Sequence, residues 1–155
     1  MTSGGEDPAA RVQELLERVA DAAGVEVSVE IDEGPDGMVA QYVGDDVALL
    51  IGRHGQTIDA IQHIAYRFAT HGATERMPVV VDAAGYRERR ATALRAAADQ
   101  AAETAVSHRR AVPLEAMSAL ERKVIHEHLK GRHDVETYSE GQEPSRRLVV
   151  APLVD

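Results

Sequence analysis

Apolar positions recur along this chain with two periods, helical and alternating, and the period switches often. Val12, Leu15, Leu16, Val19 and Ala23 keep helical spacing. Asp7 before Pro8 predicts a helix start with Asp as N-cap and Pro in the first turn, and Gly24 predicts its stop. "VEVSVEI" then alternates strictly, with Val25, Val27, Val29 and Ile31 on one side, which predicts a half-buried strand. "DEGPDG" reads as a turn and "MVAQYVG" as the returning strand of a hairpin. "DDVALLIG" predicts a short helical turn opened by an Asp cap. A helix over 56–71 follows, with Ile58, Ile61, Ala65 and Phe68 as its apolar stripe and Ile64 alongside; Gly72 ends it, and "MPVVVDA" is a third strand.

The second half starts with an Ala-rich helix over 85–108. Its predicted small-residue face is Ala93 or Leu94, Ala97, Ala101 and Ala105. "AVPLEAM" interrupts it with a short extended piece, Pro113 acting as the breaker. A helix over 115–129 and two strands, "HDVETYS" and "RRLVVAP", complete the order, with "EGQEPS" as the turn between the strands. Counted from Met117 in 100° steps, Leu120, Val124 and Ile125 form one apolar arc, with Leu129 at its border. His128 and Glu121 project into that arc, and Arg122 and His126 lie beside or opposite it. Both halves are expected to be α+β with small, mainly antiparallel sheets. "MTSGGED" is small and polar, and residues 1–7 are expected to form a disordered tail.

Composition narrows the classes further. The 155 residues are 44% hydrophobic, with one Phe and no Trp, so the core must be aliphatic. Cysteine is absent, which excludes disulfides and thiolate metal sites. No apolar run approaches the roughly 18 residues that span a bilayer, and no signal-peptide pattern opens the chain. A soluble, cytoplasmic protein without membrane insertion is expected. The net charge of -9 argues at first against nucleic acid, but its distribution matters more. Residues 1–51 hold 12 acidic and 2 basic side chains, whereas residues 86–147 hold 10 acidic and 12 basic ones.

The candidate chemistry begins at "LLIGRHGQTIDAIQ". Gly52 and Gly55 bracket Arg53 and His54, and Gln56 opens the next helix. Glycine permits positive φ and close approach of another molecule. The first amides of a helix lack intrahelical partners and carry positive partial charge, which suits phosphate oxygens. A basic pair there adds donors, so the loop can hold the backbone of a single nucleic-acid strand. Ile51, Ile58 and Val80 are candidate walls of an apolar groove for the bases. The element order around the loop, α-β-β-α-α-β, is that of a type II KH domain, whose G-x-x-G loop clamps about four nucleotides. An ordinary helix–helix turn is the competing reading of the glycines alone.

Further cations follow. Arg87 and Arg90 in "YRERR", Arg122, Lys123 and His126 in "ERKVIHEHL", and Arg146 and Arg147 offer phosphate contacts. A solvated helix face and helix-end ion pairs are the plainer explanations of these. His126 and His128 point about 160° apart on a helix, and no H-E-x-x-H spacing exists, so no metal site is expected. With four Tyr and one Phe, base stacking is not expected to be the main source of affinity. No nucleophile or carboxylate–histidine constellation supports an enzyme, and no cofactor is expected.

Taken together, "LLIGRHGQTIDAIQHI", "VVVDAAGYRERR", "LEAMSALERKVIH" and "VETYSEGQEPSRRLVV" make the chain resemble the Jag family, also called the SpoIIIJ-associated, EloR or KhpB family. Its members pair a KH domain with an R-x3-H domain. The resemblance implies a type II KH domain over 8–84, then the long helix and a small R-x3-H α+β domain over 85–155. It implies binding of single-stranded RNA, or of single-stranded DNA, in the bacterial cytoplasm. Gly52, Arg53, His54 and Gly55 match the KH loop, and Arg122 and His126 match the R-x3-H signature. It also implies a small single-KH-domain partner and a role in cell elongation or division. The sequence shows no counterpart of the N-terminal Jag domain and charged linker of longer members. The alternative class is a protein-interaction scaffold that uses the KH surfaces and the acidic first third.

Overall fold

The computed structural model describes residues 7–73 and 75–154, so all but the last residue of the expected disordered tail lies outside the described residues. The chain divides into two compact units at Arg87/Glu88. Helix α1 (Pro8–Ala23) starts with Asp7 at the N-cap and Pro8 in the first turn, although the Asp7 side chain makes no cap bond. Gly24 closes it in the left-handed conformation. Strands β1 (Ser28–Gly34) and β2 (Gly37–Val43) form an antiparallel hairpin around Pro35–Asp36. A short helix α2 (Ala48–Ile51), a 3-10 turn (Arg53–Gly55) and helix α3 (Gln56–Thr70) lead to β3 (Val79–Ala83). The sheet order is β1-β2-β3, with β3 parallel to β2. Order and topology together are those of the expected αββααβ fold.

One face of this sheet, carrying Met38, Ala40, Tyr42, Val79 and Val81, packs with Val12, Leu16, Ile58, Ile61 and Ala65 of the helices. Tyr42 is 2% exposed, and its hydroxyl donates to the Leu16 carbonyl at 2.7 Å. Burial pushes its pKa up, so the phenol stays a donor.

Three details differ from the sequence reading. β1 begins at Ser28, so Val25 is buried ahead of the strand. α2 is preceded by Val47, and neither Asp45 nor Asp46 caps it. The fourth member of the α3 stripe is Ala69, while Phe68 and Ile64 are 43% and 49% exposed. At 100° per residue Ala69 falls closer to the line through Ile58 and Ala65 than Phe68 does. Phe68 instead lies beneath the Arg11 guanidinium, 5.0 Å from the ring centroid.

Helix α4 (Tyr86–His108) leads into the second unit. There β4 (Val112–Ala116), α5 (Ala119–Leu129), β5 (Val135–Glu140) and β6 (Arg147–Pro152) form an antiparallel sheet ordered β4-β6-β5 and packed with α4 and α5. Pro113 lies within β4, tolerated because β4 is an edge strand with a register shift after it. The buried stripe of α4 is Leu94, Ala98, Ala101, Ala102 and Ala105, and the expected Ala93 and Ala97 are exposed. Helix α5 begins at Ala119 rather than Glu115, because Ser118 is its N-cap and accepts from the Glu121 amide at 3.3 Å. Arg132 forks onto both oxygens of Asp134 at 2.8 Å and reaches Glu103 at 3.1 Å. That guanidinium holds the Asp134 carboxyl below the usual carboxylate range.

Two outcomes follow from these contacts. Tyr42→Phe removes one buried hydrogen bond at unchanged volume and lowers stability by about 1 kcal/mol, read from the urea midpoint. Asp134 has a depressed folded pKa, so its contribution is present at neutral pH and lost as pH falls through that pKa. Wild type is therefore more stable than Asp134→Asn at pH 6, and the gap closes as pH falls below about 3.9.

Candidate nucleic-acid interface

The loop between α2 and α3 turns left-handed three times: Gly52 at φ 73°, His54 at φ 54° and Gly55 at φ 75°. Glycine is required at both ends for separate reasons. A Cβ on Gly52 would collide with the Thr57 hydroxyl, and one on Gly55 would lie 2.7 Å from the Tyr86 ring. Gly55 itself is buried, so Tyr86 fills the inner side of the bend. Arg53, His54 and Gln56 are exposed. Neither Arg53 nor His54 has a side-chain partner among the described residues. The loop opens directly into α3, whose first amides face the same end. Of the expected groove walls, Ile58 is fully buried and belongs to the core, whereas Ile51 is half-buried and Val80 is 38% exposed.

The second unit holds a groove of about 410 Å3 between α5 and β5, lined chiefly by Arg122, Lys123, His126, Thr137, Tyr138 and Arg146. Its volume is in the range of small-ligand sites. Lys123 is exposed and makes no ion pair among the described residues, and Arg146 donates to the Gly141 carbonyl at 2.6 Å but to no carboxylate. His126 is held through Nδ1 by the Thr137 hydroxyl.

Arg122 differs from the expected exposed cation. It is 8% exposed, on the inner α5 stripe with Ile125 and Leu129. Its guanidinium donates to the Met117 carbonyl and to Glu143, both at 2.8 Å. Met117 lies outside α5, so the buried stripe of the helix is not the arc through Met117 and Leu120, and Leu120 is 73% exposed. Arg122 thus ties α5 to the β5–β6 turn and shapes the groove. His128 is exposed rather than set into a core face, with Nε2 2.9 Å from Asp99.

The remaining predicted cations are engaged within their own units. Arg87 donates to Asp59 and to the Val81 carbonyl, each at 2.8 Å. Arg90 donates to Glu121 at 2.7 and 3.3 Å. Arg147 pairs with Glu140 at 2.7 Å. Among the described residues no group of three His, Asp or Glu side chains is placed to hold a metal ion, and no helix is long and apolar enough to cross a membrane.

Two family models match the chain: the KH domain of KhpA/KhpB over residues 9–81 and the R-x3-H domain over residues 92–152. The RNA-binding protein KhpB of Lactiplantibacillus plantarum is 36% identical over 138 residues, 89% of this chain and 43% of the relative. That of Clostridium symbiosum is 36% identical over 140 residues, 89% of this chain and 63% of the relative. That of Bacillus subtilis is 31% identical over 147 residues, covering 94% of this chain and 71% of the relative. The chain belongs to the KhpB family. It spans about half the length of the first two of these relatives.

In this KhpB-family chain the glycine loop falls inside the KH match, and the α5–β5 groove falls inside the R-x3-H match. Two features of these sites lie outside the glycine loop and the R-x3-H signature. Tyr86 dictates glycine at position 55, a contact that no local pattern in the sequence reveals. Ser118 and Glu121 have the S-x-x-E spacing of a helix start, which would have fixed the phase of α5 and the burial of Arg122.

The loop's steric demand has a built-in control. Gly24 has φ 73°, like Gly55 at 75°, but a Cβ there meets nothing within 4 Å. Gly24→Ala is expected to cost only the left-handed backbone term, about 1–2 kcal/mol. Gly55→Ala adds the clash with Tyr86 and costs more. Thermal melts of the two variants should differ in that order.

Proposed function

We propose that this chain is a non-enzymatic RNA-binding protein that grips an unpaired strand at the Gly52–Gly55 bend and again at the α5–β5 groove. The observation that carries this reading is the pair Arg53 and His54, exposed on a left-handed bend at the head of α3 and without a side-chain partner among the described residues. Such a bend offers main-chain amides and side-chain donors to consecutive phosphates. The KhpB relatives are named RNA-binding proteins, and that binding is extended here to this chain. The two binding modules are assigned to 8–84 and 85–155.

In this reading Gly52, Arg53, His54, Gly55 and Gln56 make the first contact. Lys123, His126 and Arg146 make the second, and Arg122 positions them. Arg87, Arg90 and Arg147, held by carboxylates, contribute through the local field rather than by direct grip. Two weak sites on one chain combine through effective concentration. Single-stranded DNA shares the backbone contacts and competes. The proposed setting is the bacterial cytoplasm. A small single-KH-domain protein is the proposed partner, in keeping with a KH family described for both KhpA and KhpB. The family resemblance also supports a post-transcriptional role linked to cell elongation or division.

The test is a titration of labelled single-stranded RNA at several salt concentrations with wild type and Arg53→Asp/His54→Asp. The variant is expected to bind more weakly, and its log K against log salt slope to be shallower by about one or more. Equal binding and equal slopes would refute the loop as the grip. If neither protein binds RNA while both capture a protein partner, the scaffold reading replaces it.

A further inference from the structure

The chain has five aromatic residues, and their placement is uneven. Tyr42 is buried, Tyr66 and Tyr86 pack against the first core, and Phe68 sits under Arg11. The fifth, Tyr138, is the single aromatic beyond Tyr86 in the sequence. It is 46% exposed and lines the same groove as Lys123, His126 and Arg146.

Its place on the sheet gives this exposure a direction. β5 is an edge strand, and successive side chains alternate between its faces. Thr137 turns toward α5, where its hydroxyl meets His126. Tyr138, the next residue, is therefore set on the opposite face of the strand, in register with Val149, which is 3% exposed. One strand edge thus has the groove with Lys123, His126 and Arg146 on one side and an aromatic residue on the other, a single residue apart.

Charge fixes which part of a nucleotide goes where. On the Tyr138 face the neighbouring alternate positions of β5 are Glu136 and Glu140. Glu140 is paired with Arg147, whereas Glu136 is exposed with no ion pair among the described residues. A phosphate on that face would be repelled by the Glu136 carboxylate, whereas a neutral base would not be. On the groove side, Lys123 and Arg146 lack carboxylate partners among the described residues.

We infer that Tyr138 is a base-stacking residue: an unpaired nucleotide straddles the edge of β5, its phosphate held by Lys123, Arg146 and His126 and its base lying on the phenol ring. This rests on the RNA-binding reading above and adds to it a contact that requires a base, not merely a charged backbone.

The test uses the full chain as wild type, Tyr138→Phe, Tyr138→Ala and Tyr138→Trp. Each is titrated with a short single-stranded RNA and with an abasic ribose-phosphate strand of equal length. Stacking predicts that Tyr138→Ala binds RNA about 5- to 100-fold more weakly, while Tyr138→Phe stays within about twofold of wild type. It predicts equal binding of the abasic strand by wild type and Tyr138→Ala, and RNA-dependent quenching of the Tyr138→Trp emission. Matching thermal melts exclude unfolding as the cause. If Tyr138→Ala binds RNA like wild type while Arg53→Asp/His54→Asp is impaired, the stacking inference falls and the RNA-binding reading stands. If wild type itself ignores RNA, both fall.

Discussion

The left-handed bend at residues 52–55 is the constraint on which the proposed interface depends. An L-residue in that conformation costs on the order of 1–2 kcal/mol, and here His54 adopts it between two glycines that also have positive φ. The cost is offset by packing on both sides, since Leu50 before the bend and Ile58 after it are buried in one core. Thr57 and Tyr86 close the space that side chains at positions 52 and 55 would need. What the bend leaves facing solvent is Arg53 and His54. A core-anchored backbone thereby holds two nitrogen-bearing side chains that have no carboxylate partner among the described residues.

Net charge is a poor guide to such a surface. The chain carries -9, concentrated in its first third, yet binding of a polyanion depends on which cations remain uncommitted. Arg87, Arg90, Arg132 and Arg147 are each engaged by carboxylates. Arg53, His54, Lys123 and Arg146 have no carboxylate partner among the described residues. An acidic remainder disfavours indiscriminate contact with phosphates and, on the proposed reading, concentrates binding at those points. Arg122 shows a third use of a cation: buried and paired, it holds the wall of a groove together.

Much of the fold was legible because the periods of its apolar residues are clean. The alternation from Val25 to Ile31, the helical spacing of Val12 to Val19 and the G-R-H-G loop after an apolar run all lead to elements found in the structure. Register and phase were harder. Phe68 is strongly apolar, but Ala69 lies nearer the buried line of α3, so size alone misled. The Ala-rich α4 offers nearly equivalent faces, and choosing among alanines needs the partner surface. Which arginines are free is a three-dimensional property: Arg90 meets Glu121 across 31 residues and Arg87 meets Asp59 across 28. Tyr138 lies on an edge strand beside Lys123 and Arg146, a placement that composition does not reveal.

The proposed function places RNA against two surfaces, the bend and the α5–β5 groove. The most direct measurement is a two-dimensional amide NMR titration of the full chain with a short single-stranded RNA. Shifts or broadening concentrated at Gly52–Thr57, and at Lys123, His126, Thr137 and Tyr138, are predicted. Perturbations confined instead to the outer face of α1 and α3 around Arg11 and Phe68, with the bend unmoved, would contradict it.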